Sequence, residues 1–393
     1  MSPTPGDIHP LLEDVLFPQQ FRTALVGLTL TGLALTAAPG LASASDAKSA
    51  PVRGKSQVSS IEDSTARSLA LSLADGTFRS QVARATAGGA EVSLAPLAGQ
   101  AGSAFRSEVA AADRKVAAAK GLDADTGSLL TVQLAGADTT AAALSATAPL
   151  VATAPNDDEA TSVTAYDSLG RAHRLDAKVA PEQPVLVVGL DGDKAVSEGM
   201  QVLNRELAAA GVATPASTAA TTTSTQAAAA DGYWTSRVTA VRLSDDQETW
   251  IKGNAEIFTV TSGFGLDGKV RVDTVTMPYL DDADHTYYPN QILVNWSLYK
   301  YNLADTVMFE DDGDTNYSAL AKALASALLT ILDLGAYIPL VNPVIDAMPD
   351  SFWVDDPDFV DAWYTLSREM TGTRNGAGGH GWMTFDRYFV SAL

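Results

Sequence analysis

The chain has 393 residues, a formal net charge of −21 and no cysteine. The missing thiols exclude a disulfide scaffold, a thiolate metal site, an iron–sulfur cluster and a cysteine nucleophile, and the acidity excludes nucleic acid as a partner, because phosphate binding needs clustered Lys and Arg. With 46% hydrophobic and 19% charged residues, the composition is globular and the length suits about two domains.

In chain order, Arg22, an apolar run from Ala24 to Ala38, Pro39-Gly40 and the small residues Ala42-Ser43-Ala44 follow the layout of a secretory signal peptide, cleaved after Ala44. Gly27, Thr29, Thr31 and Gly32 interrupt the run, which is shorter than the ~20 apolar residues that span a bilayer. Residues 1–44 are therefore expected to be a leader, and the mature chain to be secreted, extracellular and without a transmembrane segment. A Ser/Ala/Lys/Gly linker over residues 45–60 follows.

Residues 61–212 read as an α+β domain. Apolar spacing predicts helix over Ile61–Arg84, interrupted near Asp75-Gly76, then over Ala104–Ala119 and Lys194–Ala210. Strands are predicted over Leu129–Leu134, Thr161–Tyr166 and Val185–Leu190, with a turn at Asp167-Ser168-Leu169-Gly170. Residues 213–231 form a Thr/Ala-rich linker, uncharged from Ala213 to Ala230 and unable to build a core.

Residues 232–393 hold all six Trp and carry 23 acidic against 10 basic residues. Strands are predicted over Arg237–Leu243, Ile251–Ser262, Lys269–Met277, Gln291–Tyr299, Asp305–Glu310, Val360–Leu366 and Gly381–Val390. That spacing favours an antiparallel β-sandwich, interrupted by an inserted Ala/Leu-rich helix over Tyr317–Leu334. The helix has only ten residues between Lys322 and Asp333, too few to cross a bilayer. Trp296, Tyr299 and Tyr301 suit a core position better than a glycan-binding platform.

Three acidic clusters fall where strands end: Asp245, Asp246 and Glu248; Asp281, Asp282 and Asp284; and Glu310, Asp311, Asp312 and Asp314, followed by Asn316. Crowded carboxylates repel, and a hard cation with oxygen ligands relieves the repulsion. A calcium ion is therefore expected between the first and third clusters, with Asp245, Asp246, Glu248, Glu310, Asp311, Asp312, Asp314 and Asn316 as ligands. An EF-hand is excluded, because Tyr317 occupies the position that needs Gly and Ala323 the position that needs Glu.

The stretches Asp245-Asp246-Gln247-Glu248-Thr249-Trp250-Ile251-Lys252-Gly253 with Ala255-Glu256-Ile257, Met277-Pro278-Tyr279-Leu280, Tyr288-Pro289-Asn290-Gln291-Ile292, and Ala347-Met348-Pro349-Asp350-Ser351 together resemble the domain of unknown function 3103 family. That resemblance implies an exported bacterial protein and brings no activity with it. Acidic loops on a sandwich are also similar to C2-type calcium domains, although the inserted helix departs from that pattern.

Enzymatic signatures are weak. The three histidines after the leader, His173, His285 and His380, form no H-E-x-x-H motif, and no G-x-S-x-G elbow occurs. Gly189-Leu190-Asp191-Gly192-Asp193-Lys194 has the wrong spacing for a phosphate loop, and its acids would repel phosphate. The sequence leans toward a calcium-binding, non-catalytic module that recognises a surface lipid, glycan or protein. A secreted hydrolase using paired carboxylates and a toxin-like or antagonist factor are the alternatives.

Overall fold

The computed structural model describes residues 56–392 except 136–147, 156–159, 180, 182, 216–231, 245–255, 312 and 349–358. The leader and its cleavage site, most of the Thr/Ala tract, the first acidic cluster and Asp312 lie outside the described residues.

Side-chain caps start four of the helices described below. Ser56 accepts from Ser59 N (3.1 Å) at the head of α1, Gln57–Ser72. Asp75 accepts from Thr77 N (2.8 Å) and Phe78 N (2.9 Å) at the head of α2, Gly76–Ala85. Asp75 is thus why the predicted Ile61–Arg84 helix is two helices: its oxygen satisfies donors that a helix start leaves bare. Next come β1, Val92–Ser93, α3, Leu94–Ala101, and α4, Ser103–Ala119. The strands β2, Leu130–Ala135, β3, Leu150–Thr153, β4, Ser162–Tyr166, β5, Ala172–Asp176, and β6, Val185–Leu190, follow. The long helix α5, Gly192–Ala210, is capped by Asp191 and ends at Gly211, whose φ of 100° only glycine adopts cheaply. The sheet order is β1-β2-β6-β3-β4-β5, with β3 and β6 parallel and the other pairs antiparallel.

The second half supplies β7, Tyr233–Leu243, β8, Ile257–Phe264, β9, Val270–Thr276, β10, Gln291–Asn295, and β11, Leu303–Glu310. Two helices come next, α6, Tyr317–Leu328, and α7, Val341–Ala347. The chain closes with β12, Phe359–Ser367, β13, Gly372–Asn375, and β14, Gly381–Val390. Two antiparallel four-stranded sheets result, β10-β7-β14-β13 and β12-β11-β8-β9, packed as a sandwich around Val238, Val241, Leu293, Met308, Trp363 and Met383. The fold is α+β with a mixed N-terminal sheet.

Two elements are shorter than their sequence patterns. β10 stops at Asn295, whose side chain accepts from Ser297 N and opens a 3-10 turn over Trp296–Leu298. The inserted helix stops at Leu328, not Leu334. The chain beyond it turns back so that Tyr337 Oη and Leu340 N, each at 2.6 Å, donate to the buried carboxylate of Asp305.

The β12-β11-β8-β9 sheet has both faces covered. Met308, Trp363 and Ile257 face the sandwich core. Phe258, Val260, Val307 and Phe309 join a larger core that includes α1, α4, α5, α6 and one face of the N-terminal sheet. Every residue of β8 is accordingly buried, and its run of apolar and Thr residues suits a strand with no wet face. Each of its phenylalanines contributes about 1.5–3 kcal/mol by leaving water.

Candidate functional site

The third sheet, β10-β7-β14-β13, has one inner face and one face open to solvent. On β14 the inner positions are Met383 and Phe385, both buried in the sandwich core. The period of two along a strand therefore turns Trp382, Thr384, Asp386 and Tyr388 outward. Pairing across the sheet sets their neighbours: Trp382 lies between Arg242 on β7 and Asn375 on β13, and Thr384 lies opposite Thr373. Arg242, Trp382 and Asn375 thus form one row over three adjacent strands.

That row opens into a cleft of about 290 Å³ whose other walls are Ser244, Asp284, Gly379 and Gly381. Arg242 is held by Asp284 at 2.7 Å. Asp284 itself adopts φ 58°, and its N–H donates to Leu243 O (2.8 Å). Ser244 donates both its N–H (2.7 Å) and its hydroxyl (2.8 Å) to His380 O. The hydroxyl is therefore a strut for the loop. The arrangement sets an indole beside a guanidinium, an amide and backbone groups, which suits holding a polar ring by stacking and hydrogen bonds.

The loop between β13 and β14, Gly376-Ala377-Gly378-Gly379-His380, is built on Asp361 of β12. Asp361 is fully buried, and its carboxylate accepts from Ala362 N (2.8 Å), Gly378 N (2.7 Å), His380 N (2.9 Å) and Gly381 N (3.0 Å). A Cβ at Gly376 would lie 2.0 Å from that carboxylate, so only glycine lets the backbone wrap so closely. Sequence reasoning passed over both Asp361 and this cleft. The one available signal was the density of glycine between Asn375 and Gly381.

The third acidic cluster faces inward. Lys120, fully buried at the end of α4, donates to both oxygens of Asp311 (3.0 and 2.9 Å) and to Gly313 O (2.8 Å). Tyr317 Oη also donates to Asp311. Burial works to raise the Asp311 carboxyl, and the Lys120 ammonium and Tyr317 hydroxyl outweigh it, leaving it below the usual value. Asp314 accepts from Ser56 Oγ (2.6 Å). Asn316 caps α6 through Ala319 N (2.9 Å) and donates to Ala119 O (2.7 Å), and Glu310 is buried. Glu62 of α1 completes this joint. Burial and the Asp314 charge push its carboxyl up to about 8, against the pull of Lys120. Glu310, Asp311, Asp314 and Asn316 thus come together at the contact between α4 and the β11–α6 turn, while Asp245, Asp246, Glu248 and Asp312 lie outside the described residues.

Among the described residues, no group of three or more His, Asp or Glu is arranged to hold a metal ion, and no helix is long and apolar enough to cross a membrane. In the second cluster, Asp284 holds Arg242, and burial with the Asp193 and Asp282 charges raises the Asp281 carboxyl. Trp296 and Tyr299 are core residues, with Trp296 Nε1 donating to Ser236 Oγ (3.0 Å) and Tyr299 Oη to Asp273 (2.8 Å).

A family model described as a protein of unknown function, DUF3103, matches residues 66–392. No curated protein and no solved structure matches the chain.

Proposed function

Because the chain belongs to the DUF3103 family, whose description carries no activity, we propose a role from the chain's own surface: it is a non-catalytic module that binds a surface glycan, with calcium as a supporting ion. The observation that carries this reading is the row Arg242, Trp382 and Asn375 lining one cleft on a solvent-facing sheet. Aromatic rings take the apolar face of a sugar, while guanidinium and amide groups bond its hydroxyls. The surroundings favour glycan over lipid, since the cleft is walled by polar side chains and glycine backbone. The leader reading places the module outside the cell, and a terminus at Ser45 on protein recovered from the medium is its test.

Binding is tested with a printed array of neutral and acidic oligosaccharides, followed by titration of tryptophan fluorescence with the sugar retained. Trp382→Ala is expected to lose at least about tenfold in affinity, the scale of one well-placed aromatic contact, with an unchanged melting temperature. Repeating the titration in chelator reads the calcium component, which predicts weaker binding that calcium restores and magnesium does not. Retention of no sugar by the intact protein, or equal retention by Trp382→Ala, would overturn the reading.

A further inference from the structure

The cleft is one end of a longer surface. The outward residues of β14 continue from Trp382 through Thr384 and Asp386 to Tyr388, and six residues of extended strand cover roughly 20 Å. Tyr388 is 40% exposed, and the Arg237 guanidinium lies over its ring, 4.2 Å from the centroid. Arg237 in turn grips Asp386 with two bonds (3.1 and 2.6 Å), so the ring is held in place instead of swinging free. Between the two aromatic residues lie hydroxyls, with Thr373 and Thr384 bonded to each other at 2.8 Å.

Among the described residues the charge along this strip is balanced. Arg242 is matched by Asp284 and Arg237 by Asp386, a neutral band on a protein of net charge −21. A neutral band lined by hydroxyls, with a flat ring at each end, complements a neutral chain of polyols. A sulfated or carboxylated polymer would have to displace Asp284 and Asp386 from these arginines, and the overall charge repels it. Resting on the glycan reading of the cleft, we propose that the ligand is a linear neutral polysaccharide lying along β14, with one sugar on Trp382 and a later one on Tyr388.

Two linked contacts on one ligand multiply through effective concentration, so affinity rises steeply once a chain is long enough to reach both. The test uses cello-, malto- and chito-oligosaccharides from dimer to hexamer, with heparin as the charged polymer, titrated against the intact protein. The expected result is a gain of at least about tenfold from dimer to hexamer in one neutral series. Tyr388→Ala should remove the gain while leaving dimer binding unchanged, Tyr388→Phe should keep it, and Trp382→Ala should weaken binding at every length by at least about tenfold. Dimer binding that does not improve with length overturns the extended platform and leaves the cleft reading standing. Preference for heparin over every neutral series overturns the platform's neutrality, and no binding of any probe overturns both readings together.

Discussion

Asp361 and Glu62 are carboxyl groups taken out of water by opposite means. Asp361 is compensated by four backbone N–H donors drawn from its own strand and the glycine loop. Replacing it with Asn keeps the shape but turns an NH₂ toward two of those donors. Leaving buried donors unsatisfied costs about 1–3 kcal/mol each, so Asp361→Asn is expected to destabilise by on the order of 3 kcal/mol in denaturant unfolding. Exchange protection should be lost as well at the pair the NH₂ faces, Ala362 and Gly378 or His380 and Gly381. Glu62 keeps its proton instead. Its folded pKa of about 8 lies above the ordinary 4.5, so between these values the folded state holds a proton that the unfolded chain has released. Its contribution is therefore fully present below about pH 4.5 and is lost as pH rises toward 8. Melting temperatures at pH 5 and pH 8 should show that decline in the native protein, and Glu62→Gln should flatten it. Neither behaviour is legible in the sequence, where both residues are two acids among 47.

At the scale of elements, the close approach of α5 and α6 depends on one position. A Cβ at Gly199 would lie 2.3 Å from the Tyr317 ring, which is fully buried. Gly199→Ala is therefore expected to cost about 1–3 kcal/mol by overpacking, even though alanine is the better helix former. Chemical denaturation measures it, and the same change should cost less in a Tyr317→Leu background, compared within a double-mutant cycle because that background also lacks the Tyr317–Asp311 hydrogen bond. The elements that the sequence revealed are those with strong periodicity or plain turn chemistry: α5, β6, β7, β9 and the Asp75 break. Those it concealed are short or polar. β13 is Gly-Thr-Arg-Asn with every residue exposed, and β5 is mostly exposed as well, so neither has a buried face to create alternation. The cleft was hidden for the same reason. Its row joins residues of β7, β13 and β14 that only strand pairing brings side by side, and the aromatic that matters there is one of six Trp, most of which precede it. The acidic clusters drew attention because they are contiguous in sequence. The counter-charge to Asp311 is Lys120, 191 residues away, and no local pattern announces a partner so distant.

Across the whole molecule, residues on both sides of the Thr/Ala tract belong to one core: Leu69, Val109 and Leu203 from before it, Phe258, Val307 and Leu324 from after it. A protease that cuts within residues 216–230 is expected to leave both pieces together, eluting as one species under native conditions and separating only in denaturant. Independent migration of the pieces would show that this core is weaker than its burial indicates. The twice-covered sheet β12-β11-β8-β9 also orders the protein in time. Its central strands, β8 and β11, reach water only when one of two cores opens, so their amides should be the last to exchange with deuterium, at rates approaching those of complete unfolding. The outer sheet, wet on one side, can breathe through smaller openings. On the proposal that a long ligand lies along β14, the sheet that meets its successive units rides on one that is slower to open.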